Sequence, residues 1–277
     1  MHILLFFLNA VCYAGQSATG KLYAAKGGKT RDFNICKASS AMVFFLLWLI
    51  LQGFSFHTPT IFYGILYGFL LTISMHFGFL ALSIGPMALT SMMAAMSLLI
   101  PLGWGILFWS ETLSIFNTLA ILLLLSAIGL ICSPRKGKFS KKWLLYSLIT
   151  LIANGGCSLI QKYHQVAFPG QHTVSFMFFA MLTVTVCLLL MQLCRKQISI
   201  HPNLLGTASG ILNGLANFVV LLLAATENAA QLFPLVSAGN VMAAYLTGLL
   251  LFRENVKSLQ IIGLLAGIAG VILLNIK

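Results

Sequence analysis

Amide, hydroxyl and phenol side chains stand at helical spacing inside stretches that are otherwise apolar. Asn9, Tyr13 and Gln16 follow i, i+4, i+7 spacing, which puts all three on one helix face. Asn154, Ser158 and Gln161 repeat that spacing, and Asn213 and Asn217 share the face of Gly210 and Gly214. His76, Ser237 and Asn240 are further polar residues in apolar surroundings. Such groups hydrogen-bond a polar solute; they do not break covalent bonds. The sequence has no HExxH, no Gly-rich phosphate loop and no recognisable Ser/His/Asp set. Its only acids, Asp32, Glu111, Glu227 and Glu254, fall in connections or at helix ends, too far apart in sequence to suggest a divalent-metal cluster. An enzyme is therefore not expected, and neither is a cofactor.

Each candidate has a structural role to weigh against the functional one. An amide within a membrane often bonds the neighbouring helix, contributing about 0.6 kcal/mol. Histidine changes charge near neutral pH, so His76 could carry a proton or serve as a neutral hydrogen-bonded side chain. Proton coupling would use His76 or Glu227. Lys21 and Lys162 could attract an anion or extend to the membrane surface. Met87, Met92, Met93 and Met96 could line a permissive pocket or fill core and lipid contacts. The six cysteines form no CxxC pair or metal-ligand spacing and read as small packing residues.

These residues need elements that hold them in hydrocarbon. The 277-residue chain is 60% hydrophobic and 7% charged, with a mean hydropathy of +0.99. A soluble domain is about 25% charged. Roughly 20 apolar residues cross a bilayer as a helix, and ten such stretches are legible: 2–20, 38–54, 60–82, 87–109, 114–133, 143–163, 173–194, 203–226, 230–252 and 258–276. The fold expected is an all-α integral membrane protein of ten transmembrane helices. A net charge of +12 would suggest nucleic acid in a soluble chain. Here 14 of the 16 Lys and Arg fall in alternate connections, on one side. That side is expected to be cytoplasmic, with its lysines and arginines near anionic lipid headgroups, which puts both termini outside the cytoplasm. Met1-His2 offers none of the basic start of a signal peptide, so the first stretch reads as a retained helix.

The chain also reads as one unit written twice. Glu111 and Glu254 close similar phrases 143 residues apart; Ser17/Ser158 and Lys21/Lys162 recur at 141, and Gly64/Gly68 recurs as Gly206/Gly210 at 142. Residues 1–134 and 135–277 then hold five helices each. Two similar units of odd helix number enter the membrane in opposite senses, so they form inverted repeats around a central cavity. On the Glu111 and Glu254 phrases and on Gly263, Gly267 and Gly270 of the last stretch, the chain resembles the drug/metabolite transporter superfamily, of the ten-helix type with two EamA domains. Ala120 and Ala127 replace two of those glycines in the first copy. The resemblance implies a cavity lined by helices 1, 3, 4, 6, 8 and 9, and cargo such as amino acids, sugars, nucleosides, drugs or other metabolites. It also implies cytoplasmic termini in many members, the reverse of the charge tally.

Small residues every fourth position let helix backbones approach closely in lipid. Gly64/Gly68, Gly206/Gly210/Gly214 and Gly263/Gly267 have this spacing. Pro101 and Pro234 fall inside the fourth and ninth stretches, where proline kinks a helix and could form a hinge.

The function expected is secondary transport, by alternating access, of a small neutral, zwitterionic or anionic metabolite across a bacterial plasma membrane. The protein would act as a monomer or homodimer, with the lipid bilayer and a small-molecule substrate as partners and no nucleic acid. A polytopic receptor or sensor, or a multidrug exporter, is the alternative. Export of organic cations usually relies on a buried carboxylate, and the first stretch offers Asn9 and Gln16 instead.

Overall fold

The computed structural model describes residues 2–54, 56–108, 115–132, 140–168, 171–194, 201–224, 229–253 and 258–273. Among these the chain is helical throughout, with no strand. Eleven α-helices follow in order: α1 (His2–Ala25), α2 (Thr30–Gln52), α3 (Thr58–Ile84), α4 (Met87–Ala95), α5 (Leu99–Phe108), α6 (Ile115–Cys132), α7 (Lys141–Ala167), α8 (Thr173–Cys194), α9 (Leu204–Ala224), α10 (Ala229–Phe252) and α11 (Ser258–Leu273). The helices fall on the ten apolar stretches, the fourth being divided between α4 and α5.

Among the described residues four helices, α2, α3, α7 and α8, are long and apolar enough to cross a membrane. Shorter apolar helical stretches run over Leu89–Pro101, Leu204–Val220, Gly239–Phe252 and Ile261–Gly270. Large apolar side chains cover the outside, with Leu51 85% and Leu204 83% exposed. Polar ones such as Asn9, Asn34 and Ser147 are buried. A soluble protein rarely shows an extensive contiguous apolar face, whereas lipid tails solvate one without cost.

Two differences from the sequence reading bear on the site. The second stretch was expected from residue 38, but α2 begins at Thr30. Arg31, Asp32 and Lys37 make this first segment polar without making it a loop: acidic Asp32 suits a helix N-terminus. The fourth stretch was expected to be continuous, but a 3₁₀ turn at Met96–Leu98 separates α4 from α5. Pro101 lacks the N–H that would bond the Ser97 carbonyl, and the regular ladder gives way in that preceding turn. Pro234, by contrast, lies within the continuous helix α10.

The packing follows the small residues. Gly64 and Gly68 of α3 meet the Phe176–Thr183 segment of α8: a Cβ at Gly64 would lie 3.0 Å from the Phe176 carbonyl oxygen, and one at Gly68 2.7 Å from that of Ala180. Gly206 and Gly210 of α9 meet the Phe33–Ser40 segment of α2 in the same manner, through the Phe33 and Lys37 carbonyls. The most extensive packing pairs α3 with α7 and α8, α9 with α1 and α2, α2 with α8, and α6 with α11. The four methionines of α4 and its 3₁₀ turn are fully buried in the core, Met92, Met93 and Met96 in one cluster with Ala81 and Trp143 and Met87 in another with Ala18 and Ala244.

Candidate functional site

The helices leave a cavity of about 390 Å³ between them. Its walls come from α1, α2, α3, α4, α7, α8, α9 and α10; no described residue of α6 or α11 lines it, and those two helices pack on each other. Helices 2 and 7 of the ten-stretch count (α2 and α8) thus join the set implied by the resemblance.

Seven of the ten expected site residues line this space: Asn9, Tyr13, Gln16, Asn154, Asn213, Asn217 and Asn240. Hydrogen bonds between helices hold several in place. Asn9 donates through Nδ2 to the Ala216 carbonyl at 2.9 Å, and its Oδ1 is buried without a hydrogen-bond partner. Asn213 Nδ2 donates to Gln16 Oε1 at 3.0 Å, and Asn217 Nδ2 to the Asn213 carbonyl at 2.8 Å. Ser74 of α3 donates to Asn154 Oδ1 at 2.5 Å. Asn240 also keeps a buried Oδ1 with no hydrogen-bond partner.

His76, Ser158 and Gln161 do not line the cavity. The His76 ring meets Phe77 at 5.4 Å between centroids. Ser158 turns back to the Asn154 carbonyl of its own helix at 3.1 Å. Lys21 is tied to the Gly85 carbonyl at 3.2 Å and lies over the Phe252 ring, and neither it nor Lys162 reaches the lining. Glu111, Glu227 and Glu254 lie outside the described residues, as do the side chains of Ser237 and Pro234. Asp32, the one described acid, is buried in the first turn of α2 beside Arg31, at 3.3 Å, and does not line the cavity.

Sequence reasoning missed the α2 wall. Asn34, Lys37, Ala38 and Ala41 share one face of that helix and all line the cavity. Asn34 is anchored there by its Nδ2 bond to the Met75 carbonyl at 3.2 Å. Their i, i+3, i+4, i+7 spacing was the available signal. It was masked by assigning Lys37 to a basic connection.

The cavity is placed unevenly along the helices. Its lining reaches Gly20, Phe33, Leu82 and Thr90, each within five residues of the ends of α1, α2, α3 and α4 that meet around 26–29 and 85–86. Toward the opposite ends of α3, α7 and α8, rings fill the space. Tyr67 packs on Phe176 with centroids 5.1 Å apart, Phe176 stacks on His164 at 4.7 Å, and His57 stacks on His172 at 5.2 Å.

No family model matches the chain, and no curated protein does. Among 28 matching chains of solved structures is one described only as "Crystal structure of protein". It superposes with a TM-score of 0.62 over 98% of this chain and 95% of its own, at 16% identity. That likeness concerns the fold alone.

Proposed function

We propose that the protein is a secondary transporter of a small polar metabolite, built as two inverted five-helix repeats of the drug/metabolite transporter kind, 1–134 and 135–277. One observation carries the reading: a polar cavity of about 390 Å³ lies between helices whose outer faces are apolar. A polar group inside a membrane bundle costs free energy if left dry and unpaired, and beside this space Asn9 and Asn240 keep buried oxygens with no hydrogen-bond partner.

Exchange of the two halves supports the repeat. Advancing by 142 or 143 residues turns Gly64 into Gly206, Gly68 into Gly210, Phe33 into Phe176 and Ser40 into Thr183. The contact of Gly64 with Phe176 then becomes that of Gly206 with Phe33, and Gly68 with Thr183 becomes Gly210 with Ser40. The packing of α3 on α7 likewise becomes that of α9 on α1. Internal symmetry of this kind gives a bundle two equivalent ways to close, one at each membrane face.

In this reading the cavity, which approaches the helix ends near the basic 26–31 segment, opens toward the cytoplasm. The stack of Tyr67, Phe176, His164, His57 and His172 closes the other face. Alternating access would unstack those rings while the first ends of α2 and α4 close over Lys37 and Thr90. Among the described residues no carboxylate lines the cavity, which argues against an exporter of organic cations. The protein would reside in a bacterial plasma membrane with its termini outside.

The test compares metabolites in cells with and without the protein, followed by flux of the accumulated or depleted compounds in proteoliposomes. Flux that depends on the protein supports transport. A change in cell metabolites with no flux in proteoliposomes sinks it and favours a receptor.

A further inference from the structure

We propose that Lys37 is the counter-charge for a single negative group on the substrate, which makes the cargo a monocarboxylate that also bears ammonium or hydroxyl donors. This rests on the cavity being the transport path. Lys37 lies on the cavity face of α2 between Asn34 and Ala41. Among the described residues no carboxylate is within ion-pair distance of it, since Asp32 faces Arg31. Among the described residues the Lys37 ammonium, in a cavity lined by amides, methionines and aromatic rings, has no partner charge, and such a group is costly within a bilayer. Such a cost persists where function needs the group.

The scaffold itself does not require the lysine. The position equivalent to Lys37 in the second half is Ala180, 143 residues on. Both residues are packed through their backbone carbonyls, Ala180 against Gly68 and Lys37 against Gly210. An alanine therefore fulfils the helix-packing role where the chain repeats it, and the lysine side chain is an addition to one wall only.

The charge count narrows the ligand. Among the described lining residues Lys37 is the one cation, and Lys21 is held by the Gly85 carbonyl outside them. One positive charge matches one carboxylate better than a phosphate monoester, which carries up to two negative charges near neutral pH. The cavity also offers a buried acceptor that lacks a donor. Asn9 spends its Nδ2 on the Ala216 carbonyl, so the partnerless atom is the oxygen. A ligand ammonium or hydroxyl would satisfy it. An amino acid or hydroxy acid combines both features within a volume at the small end of ligand pockets, roughly 300–1,000 Å³.

The experiment measures thermal stability of the purified full chain in detergent and, separately, flux in proteoliposomes. Probes are the common L-amino acids, L-lactate, the carboxamides of any acids that bind, inorganic phosphate and adenosine. We expect at least one acid to raise Tm and its carboxamide to bind at least tenfold more weakly. Lys37→Met should raise the Tm of the ligand-free protein, since it removes an unpaired charge, while weakening the acid at least tenfold; Lys37→Arg should retain acid over carboxamide. A lysine with a purely structural role would instead give a lower ligand-free Tm in Lys37→Met. The proposal is overturned if acid and carboxamide bind alike, if Lys37→Met binds the acid as the parent does, or if no acid binds. Acid binding without flux would leave Lys37 in place and remove the transport reading; flux of adenosine unaffected by Lys37→Met, with no acid bound, would do the reverse.

Discussion

Asn213 of α9 donates its amide N–H to Gln16 Oε1 of α1 at 3.0 Å, joining residues 197 positions apart across the cavity wall. The bond makes one polar surface out of two helices and fixes which amide atoms remain for a solute. Its own stabilisation should be small. A double-mutant cycle of Gln16→Ala and Asn213→Ala, read by thermal unfolding in detergent, is expected to give a coupling of about 0.6 kcal/mol. A coupling several times larger would make the pair mainly a structural clamp.

Asn154 and Asn217 line the same space from α7 and α9. Asn154→Ala or Asn217→Ala should lower flux while membrane insertion and the yield of folded protein stay as in the parent. Full flux in both variants would remove the cavity from the transport path. Ser158→Ala, outside the lining and bonded only along its own helix in the contacts seen, should change flux little.

Close helix approach at Gly68 and Gly210 can be tested by adding one methyl group. Gly68→Ala and Gly210→Ala each place a Cβ against a facing backbone carbonyl and should destabilise by about 1–3 kcal/mol. Gly103→Ala, whose added Cβ would meet nothing within 4 Å, should be neutral or stabilise by up to about 1 kcal/mol. Relative midpoints of thermal unfolding would order the three.

The proposed orientation rests on the basic connections. Single cysteines placed at Lys138 and Ser55, in a background lacking the native thiols, report it through a membrane-impermeant reagent on intact cells. Labelling at 55 and protection at 138 is the expected result. The opposite pattern would reverse the topology and place the aromatic closure on the cytoplasmic face.

Much of the architecture was legible because hydrocarbon imposes length and polarity together. The 173–194 stretch coincides with α8, and 87–109 nearly coincides with α4, its 3₁₀ turn and α5. Where polarity and helicity part company, the reading failed. The first turns of α2 are charged yet helical, so a hydropathy criterion began the helix eight residues late and put Lys37 outside it. His76 and Gln161 show the other limit. His76 lies one residue, about 100° around the helix, from Met75, which does line the cavity, and Gln161 shares the Asn154 face but stands two turns further along α7, toward the ends where rings pack.

By itself the sequence determined that this chain is helical and apolar-faced and that its glycines recur at a fixed interval, because burial in lipid and backbone hydrogen bonding leave few alternatives. The tertiary structure decided which polar faces converge: helix rotation and close approach at Gly206 and Gly210 bring the Asn34–Lys37 face of α2 into the cavity, a relationship between residues about 170 positions apart in the chain that no local pattern specifies.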